Sequence, residues 1–295
     1  MDLPSTEQRA VTRRALDRMT PAELAAAFEE ANRQAAEAVA GARPELARAI
    51  ELAAEALERG GRLVLGGAGT SGRLAVLEAA ECLPTFRSDR VVGLMAGGDG
   101  ALLRAREGAE DDREEGARAA RALGPGAADL FLGVAASGRT PWVLGMLEAA
   151  RAAGARVGLL ACAAPPPGLA LDLRLVLATG PELLSGSTRL KAGTATKCAL
   201  NAITTGAMAR LGKVMDDLMV DVAPTNDKLR ARARRIVATL VPTGEEAAGE
   251  LLAQSGWEVK TAVVAGRLGL EAEAARARLE AARGHLRRCL EEPVA

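Results

Sequence analysis

Aromatic side chains are almost missing from this chain: they make up 2% of its 295 residues, and there is no Tyr. Proteins that hold single-stranded nucleic acid stack its bases on aromatic rings, so that role has no platform here. Nor is there an excess of positive charge, since 38 Lys and Arg stand against 38 Asp and Glu. Nothing is left over to neutralise a phosphate backbone, and nucleic acid is excluded as a partner. There is one His, His285, in "ARGHLRRCL". A Ser-His-Asp triad or a multi-histidine metal site needs His elsewhere, so proton transfer would fall to carboxylates or Lys. His285 itself reads as a surface residue at a helix end.

Cysteine is equally sparse. Cys82, Cys162, Cys198 and Cys289 form no Cys-x-x-Cys pair, which argues against a zinc site or a disulfide framework and reads as small buried hydrophobes. The N-terminal "MDLPSTEQRAVTRRALDRM" lacks the apolar core of a signal peptide, and no run approaches the ~18 apolar residues of a membrane span. A soluble cytoplasmic protein with no membrane partner is expected.

What is present is a change of texture along the chain. Residues 21–59 read as two Ala-rich helices, each opened by a Pro, with Thr20 as N-cap of the first and Gly60-Gly61 ending the second. From residue 62, short apolar runs alternate with helical stretches: 62–67, 90–98, 129–138, 156–162 and 172–180. Runs of that length, buried on both faces and linked by helical crossovers, predict an α/β fold with a doubly wound parallel sheet of about five strands. Helices then return over 189–213 and 224–240, the second capped by Asn226. Residues 243–292 read as three or four short helices separated by Gly256, Gly269 and Gly284. The expected division is an N-terminal helical segment 1–61, a sheet domain 62–240 and a small helical bundle 241–295.

The first strand runs into Gly67-Ala68-Gly69-Thr70-Ser71-Gly72, which satisfies G-x-G-x-x-G. A strand, a glycine-rich turn and a helix suit an anion at the helix N-terminus. A dinucleotide also needs an acidic residue about 20 positions on, at the end of the second strand. Asp89 falls before that strand and Asp99 beyond it. Gly72 is followed by Arg73-Leu74, so the Walker pattern fails too.

Hydroxyls supply the alternative. Thr70 and Ser71 lie in the first loop beside Gly69; Ser137, Gly138, Arg139 and Thr140 follow the third strand; Ser185, Ser187, Thr188, Arg189 and Lys191 cluster in "SGSTRLKAGT". The C-terminal ends of parallel strands share one edge, so these loops can converge on a compact phosphate carried by a small molecule. Each Ser or Thr taken alone is better read as a cap on its helix. Three such loops on one edge point to a phosphosugar.

Two acidic features remain. Glu81 lies four residues after Leu77 and seven after Leu74, which places it on the apolar stripe of its helix, with Glu78 a little further round. A carboxyl buried there would hold its proton and serve as a general acid. The run "REGAEDDREEG" reads as a solvated face from which composition selects no residue.

Taken together, "GAGTSGRLAVLEAAECLPTF", "EGAEDDREEG", "AASGRTPWVLG" and the long block from 185 to 237 resemble the N-acetylmuramic acid 6-phosphate etherase family of the sugar isomerase (SIS) superfamily, to which the vertebrate glucokinase regulatory protein is also related. "STEQR" and "LDRMTPAEL" are similar to the family's N-terminal segment, and the last helices to its small C-terminal bundle. The resemblance implies an SIS fold, a homodimer with sites near the subunit interface, and no metal or organic cofactor. It implies cleavage of the D-lactyl ether of N-acetylmuramic acid 6-phosphate during cell-wall sugar recycling. Glu81 falls on the family's proton-donor Glu, and Glu110 on the second catalytic Glu. Ala80, Leu83, Glu78 and Ala10 replace the usual Ser, Pro, Asp and Asn, and both catalytic carboxylates are kept.

The chemistry fits a chain without Tyr and with a single His. In the open-chain sugar the C3 ether oxygen is β to the aldehyde, so loss of the C2 proton permits expulsion of lactate, given one base and one acid. Glu110 is expected as base and Glu81 as acid. Lys191 or Arg189 would bind phosphate or offset developing charge. Two alternatives share the crevice: a non-catalytic sugar-phosphate sensor, and a phosphosugar isomerase.

Overall fold

The computed structural model describes residues 3–10 and 15–291; position 292, the last of the range read as helical, lies outside them. The chain divides into two compact units, Met1–Ala80 with Arg90–Thr204, and Glu81–Asp89 with Thr205–Ala295.

The first unit opens with helices α1 (Pro21–Gly41) and α2 (Arg43–Glu58). Thr20 begins α1 as expected: its hydroxyl accepts from the Glu23 N–H, and its own N–H donates to the Glu23 carboxylate at 2.8 Å, a reciprocal capping box. Then come β1 (Leu63–Gly67), α3 (Gly69–Phe86), β2 (Val91–Met95), the short α4 (Gly100–Leu103), α5 (Arg113–Ala122), β3 (Leu130–Val134), α6 (Pro141–Ala152), β4 (Arg156–Ala161), β5 (Leu173–Val176) and α7 (Lys191–Arg210). The five strands form one parallel sheet in the order β2-β1-β3-β4-β5. β1 and β3 are buried along their whole length, as strands covered on both faces must be. Phe131, Trp142, Val143 and Met146 join Val64 and Leu159 in the core on one side.

Two glycines let α5 and α6 touch backbone to backbone. A Cβ on Gly116 would stand 2.0 Å from the Trp142 carbonyl oxygen, and one on Gly145 the same distance from that of Arg113. Only a hydrogen fits at either place.

The second unit holds the ends of α3 and α7, a two-stranded hairpin of β6 (Val214–Met215) and β7 (Leu218–Met219), and helices α8 (Asp227–Leu240), α9 (Glu245–Gln254), α10 (Val259–Leu268), α11 (Ala272–Ala281) and α12 (Leu286–Glu291). Asn226 caps α8, accepting from the Leu229 N–H at 2.9 Å. Gly256, Gly269 and Gly284 separate the last four helices, each with positive φ. Ile236, Val237, Leu252 and Val263 form the core of this unit. Asp221 accepts from Lys213 at 3.1 Å and from Lys260 at 2.8 Å.

Several expectations need correction. The hairpin was not expected; its two-residue strands are too short to show alternation. Glu81 is exposed, whereas Glu78, 5% exposed, is the buried carboxylate of α3. Glu78 receives the Lys197 ammonium and the Thr204 hydroxyl from α7. A stripe drawn from Leu74 and Leu77 misplaced the buried face, because Leu77 is 45% exposed. Cys198 is exposed, unlike the other three cysteines. His285 is half-buried against Gly212 rather than fully on the surface. Among the described residues, no helix is long and apolar enough to cross a membrane.

Candidate functional site

Strand order fixes where a ligand can enter. β2 lies on one side of β1 and β3 on the other, so the crossovers diverge there and leave a crevice beyond the C-terminal ends of β1 and β3. A cavity of about 400 Å³ lies between the loops that leave these two strands.

From the first loop come Gly69, Thr70 and Ser71. The structure starts α3 at Gly69, so these residues form its first turn rather than a loop before it. The first helical hydrogen bond there runs from the Gly72 N–H to the Ala68 carbonyl at 3.1 Å, and the N–H groups before Gly72 have no acceptor within the helix. Gly69 has φ +54°, a conformation an L side chain rarely adopts, and Gly72 packs so closely that a Cβ would meet the Gly67 carbonyl oxygen at 2.4 Å. Gly69 thus makes the turn, and Gly72 lets the helix start lie against the end of β1.

The second loop contributes Ser137, Arg139 and Thr140. The Ser137 hydroxyl oxygen accepts from the Arg139 N–H at 3.2 Å, which tightens the turn. Thr140 precedes α6 but makes no side-chain cap bond, so capping does not account for its hydroxyl. Arg139 carries a buried Nε without a hydrogen-bond partner. A guanidinium kept short of an acceptor beside exposed backbone donors suits an anion.

The acidic run expected to be a solvated face is sorted by the structure into separate roles. Gly108, at φ +71°, turns the chain into a single 3-10 turn, Ala109–Asp111, whose Glu110 and Asp111 line the cavity. Ala109 packs against the core, which turns its neighbours outward. Asp112 caps α5, accepting from the Glu115 N–H at 2.8 Å, and Glu114 pairs with Arg121 at 2.9 Å. Glu115 is half-buried with an unpartnered Oε2, and burial, aided by nearby Asp112, holds its pKa above the usual carboxylate range.

Other expected residues go elsewhere. Ser185 and Lys191 line a second cavity of about 570 Å³, with Gln34 and Glu182. The Lys191 ammonium donates to the Thr179 carbonyl at 2.9 Å and to Gln34 at 3.0 Å, and burial depresses its pKa despite the opposing pull of Glu182. Ser187 and Gly138 are not among the residues lining the first cavity, but Gly186 and Thr188 are. Glu7 lines it too; no feature of spacing or composition singles it out. Glu81 lies in the second unit, exposed near the end of α3.

Known proteins are similar to this chain at several levels. The model of the glucokinase regulatory protein N-terminal SIS domain matches residues 45–151. A phosphoheptose isomerase structure from Francisella tularensis is 24% identical, with a TM-score of 0.46, over 63% of this chain and 100% of that one. N-acetylmuramic acid 6-phosphate etherase of Deinococcus radiodurans is 50% identical over 94% of this chain and 92% of its own length. That of Cronobacter sakazakii is 48% identical over 94% of each. Likeness at that level across both units shows that the chain belongs to the N-acetylmuramic acid 6-phosphate etherase family.

Proposed function

We propose that this protein cleaves the D-lactyl ether of N-acetylmuramic acid 6-phosphate to give N-acetylglucosamine 6-phosphate and D-lactate, acting as a carbon–oxygen lyase in the recycling of cell-wall sugars. The observation that carries this reading is the identity of about half to named etherases over nearly the full length of both chains. The cavity supports it chemically, since free amides, hydroxyls and Arg139 suit the 6-phosphate while Glu110 offers a base beside it.

Glu110 removes the C2 proton of the open-chain sugar. The electron pair forms the C2–C3 double bond, conjugated with the aldehyde, as the C3–O bond breaks. Glu81 gives its proton to the departing lactate oxygen. Water then adds across the double bond, hydroxyl to C3 and proton to C2, which completes net hydrolysis. The phosphate ligands are Gly69, Thr70, Ser71, Ser137, Arg139 and Thr140, with Gly186 and Thr188 as the third wall. The working form is a homodimer in the bacterial cytoplasm, as the family resemblance implies.

Lactate release and C2 exchange with solvent deuterium test these roles together. Glu110→Gln should lower both by about 10²–10⁴-fold. Glu81→Gln should lower lactate release by a similar factor while exchange persists. The opposite pattern would exchange the two roles, and a wild-type chain that releases no lactate would sink the etherase reading.

A further inference from the structure

Glu7, like Asp111, is an acidic lining residue that the reaction above leaves without a part. It comes from "STEQR", where Ser5–Glu7 makes one 3-10 turn and the Glu7 N–H donates to the Pro4 carbonyl at 2.9 Å. Thr6 at the middle of the turn is fully buried and anchors it. Glu7, one position on, is exposed and faces the cavity. Its Oε2 stands 3.3 Å from where a Cβ on Gly186 would be, so the carboxylate lies against the loop that supplies Gly186 and Thr188.

The lining holds two sets of groups with opposite preferences. Backbone amides of the first turn of α3, hydroxyls and Arg139 attract an anion, whereas Glu7, Glu110 and Asp111 repel one. A phosphate dianion settles against the first set. The neutral hydroxyls of the sugar are donors, and a carboxylate is an acceptor-only partner for them. Glu110 is already committed to the C2 proton and Asp111 shares its turn, whereas Glu7 comes from a separate segment and lies against the Gly186 loop, so Glu7 is the carboxylate assigned to the polyol.

We propose that Glu7 is a specificity-determining residue whose carboxylate accepts hydrogen bonds from the sugar hydroxyls and, by its charge, confines the phosphate to the start of α3. This rests on the reading of the cavity as a phosphosugar site. It predicts that removing the carboxylate weakens recognition of the sugar without weakening recognition of phosphate.

Calorimetry on the full chain with N-acetylglucosamine 6-phosphate and, separately, inorganic phosphate tests the split. For Glu7→Ala the sugar phosphate should bind about tenfold or more weakly, with inorganic phosphate unchanged or tighter. Glu7→Gln, which keeps an acceptor without the charge, should recover part of the sugar affinity, and KM for lactate release should follow the same order with kcat less affected. Parallel weakening of both ligands in the two variants would mark a structural role and overturn the proposal, as would sugar-phosphate affinity that does not move. Wild-type binding of the sugar phosphate without lactate release would instead remove the etherase reading and leave the Glu7 result standing. Failure of the wild type to bind either ligand would overturn both.

Discussion

Glu182 accepts hydrogen bonds from the backbone N–H groups of both Lys191 and Ala192, each at 2.9 Å, at the start of α7. The carboxylate is 1% exposed, so the chain fills this helix N-terminus with its own anion. The start of α3, by contrast, is where the proposed function puts the phosphate. Glu182→Ala orphans two amides and takes away the charge opposite buried Lys191. The expected loss is about 2–4 kcal/mol in urea unfolding, and an unchanged midpoint would count against the cap.

Alanine raises helix propensity over glycine by about 1 kcal/mol in a free helix, yet Gly145→Ala should destabilise this protein. The added methyl would stand 2.0 Å from the Arg113 carbonyl oxygen, and the helices must part to admit it. A cost of about 1–3 kcal/mol is expected, with a fall in Tm read by calorimetry. Because Arg113 begins α5 just after the turn bearing Glu110, lactate release should also fall. A Tm at or above wild type would show that the contact is not tight.

Glu115 titrates the other way from a paired carboxylate. Burial raises its folded pKa, so the folded state binds more protons and the contribution to stability, present below the unfolded value near 4.5, is lost as pH rises through the folded value. Glu115→Gln should therefore be more stable than wild type at neutral pH. The gap should close at pH 4 and below. A pH-independent difference between the two proteins would sink the explanation.

Much of this architecture can be read in the letters because it is local. Five apolar runs became five strands, since fully buried strands have no polar alternation to hide them, and Thr20, Asn226 and the bundle glycines punctuate where their chemistry requires. The glycine-rich turn after β1 was legible for the same reason. Burial of Glu78 rather than Glu81 was not, because it depends on Lys197 and Thr204, more than a hundred residues away. Lys191 likewise reads as a phosphate ligand until Thr179 and Gln34 occupy its ammonium. Glu7 enters the cavity through a turn anchored by Thr6, and no periodicity in its neighbourhood predicts that.

The pairing of β1 with β3 runs from Leu63 opposite Leu130 to Gly67 opposite Val134, which makes the sheet a ruler for the proposed anion cradle. Both strands end at the same rung, and the segments that leave them carry Ser71 and Ser137 to one cavity. Lengthening either strand by one residue would displace its loop by about 3.3 Å and invert its side chains. The cradle therefore tolerates changes of side chain far better than changes of length, and single-residue insertions between 63 and 67 or between 130 and 134 should be the most damaging edits to phosphate binding in the chain.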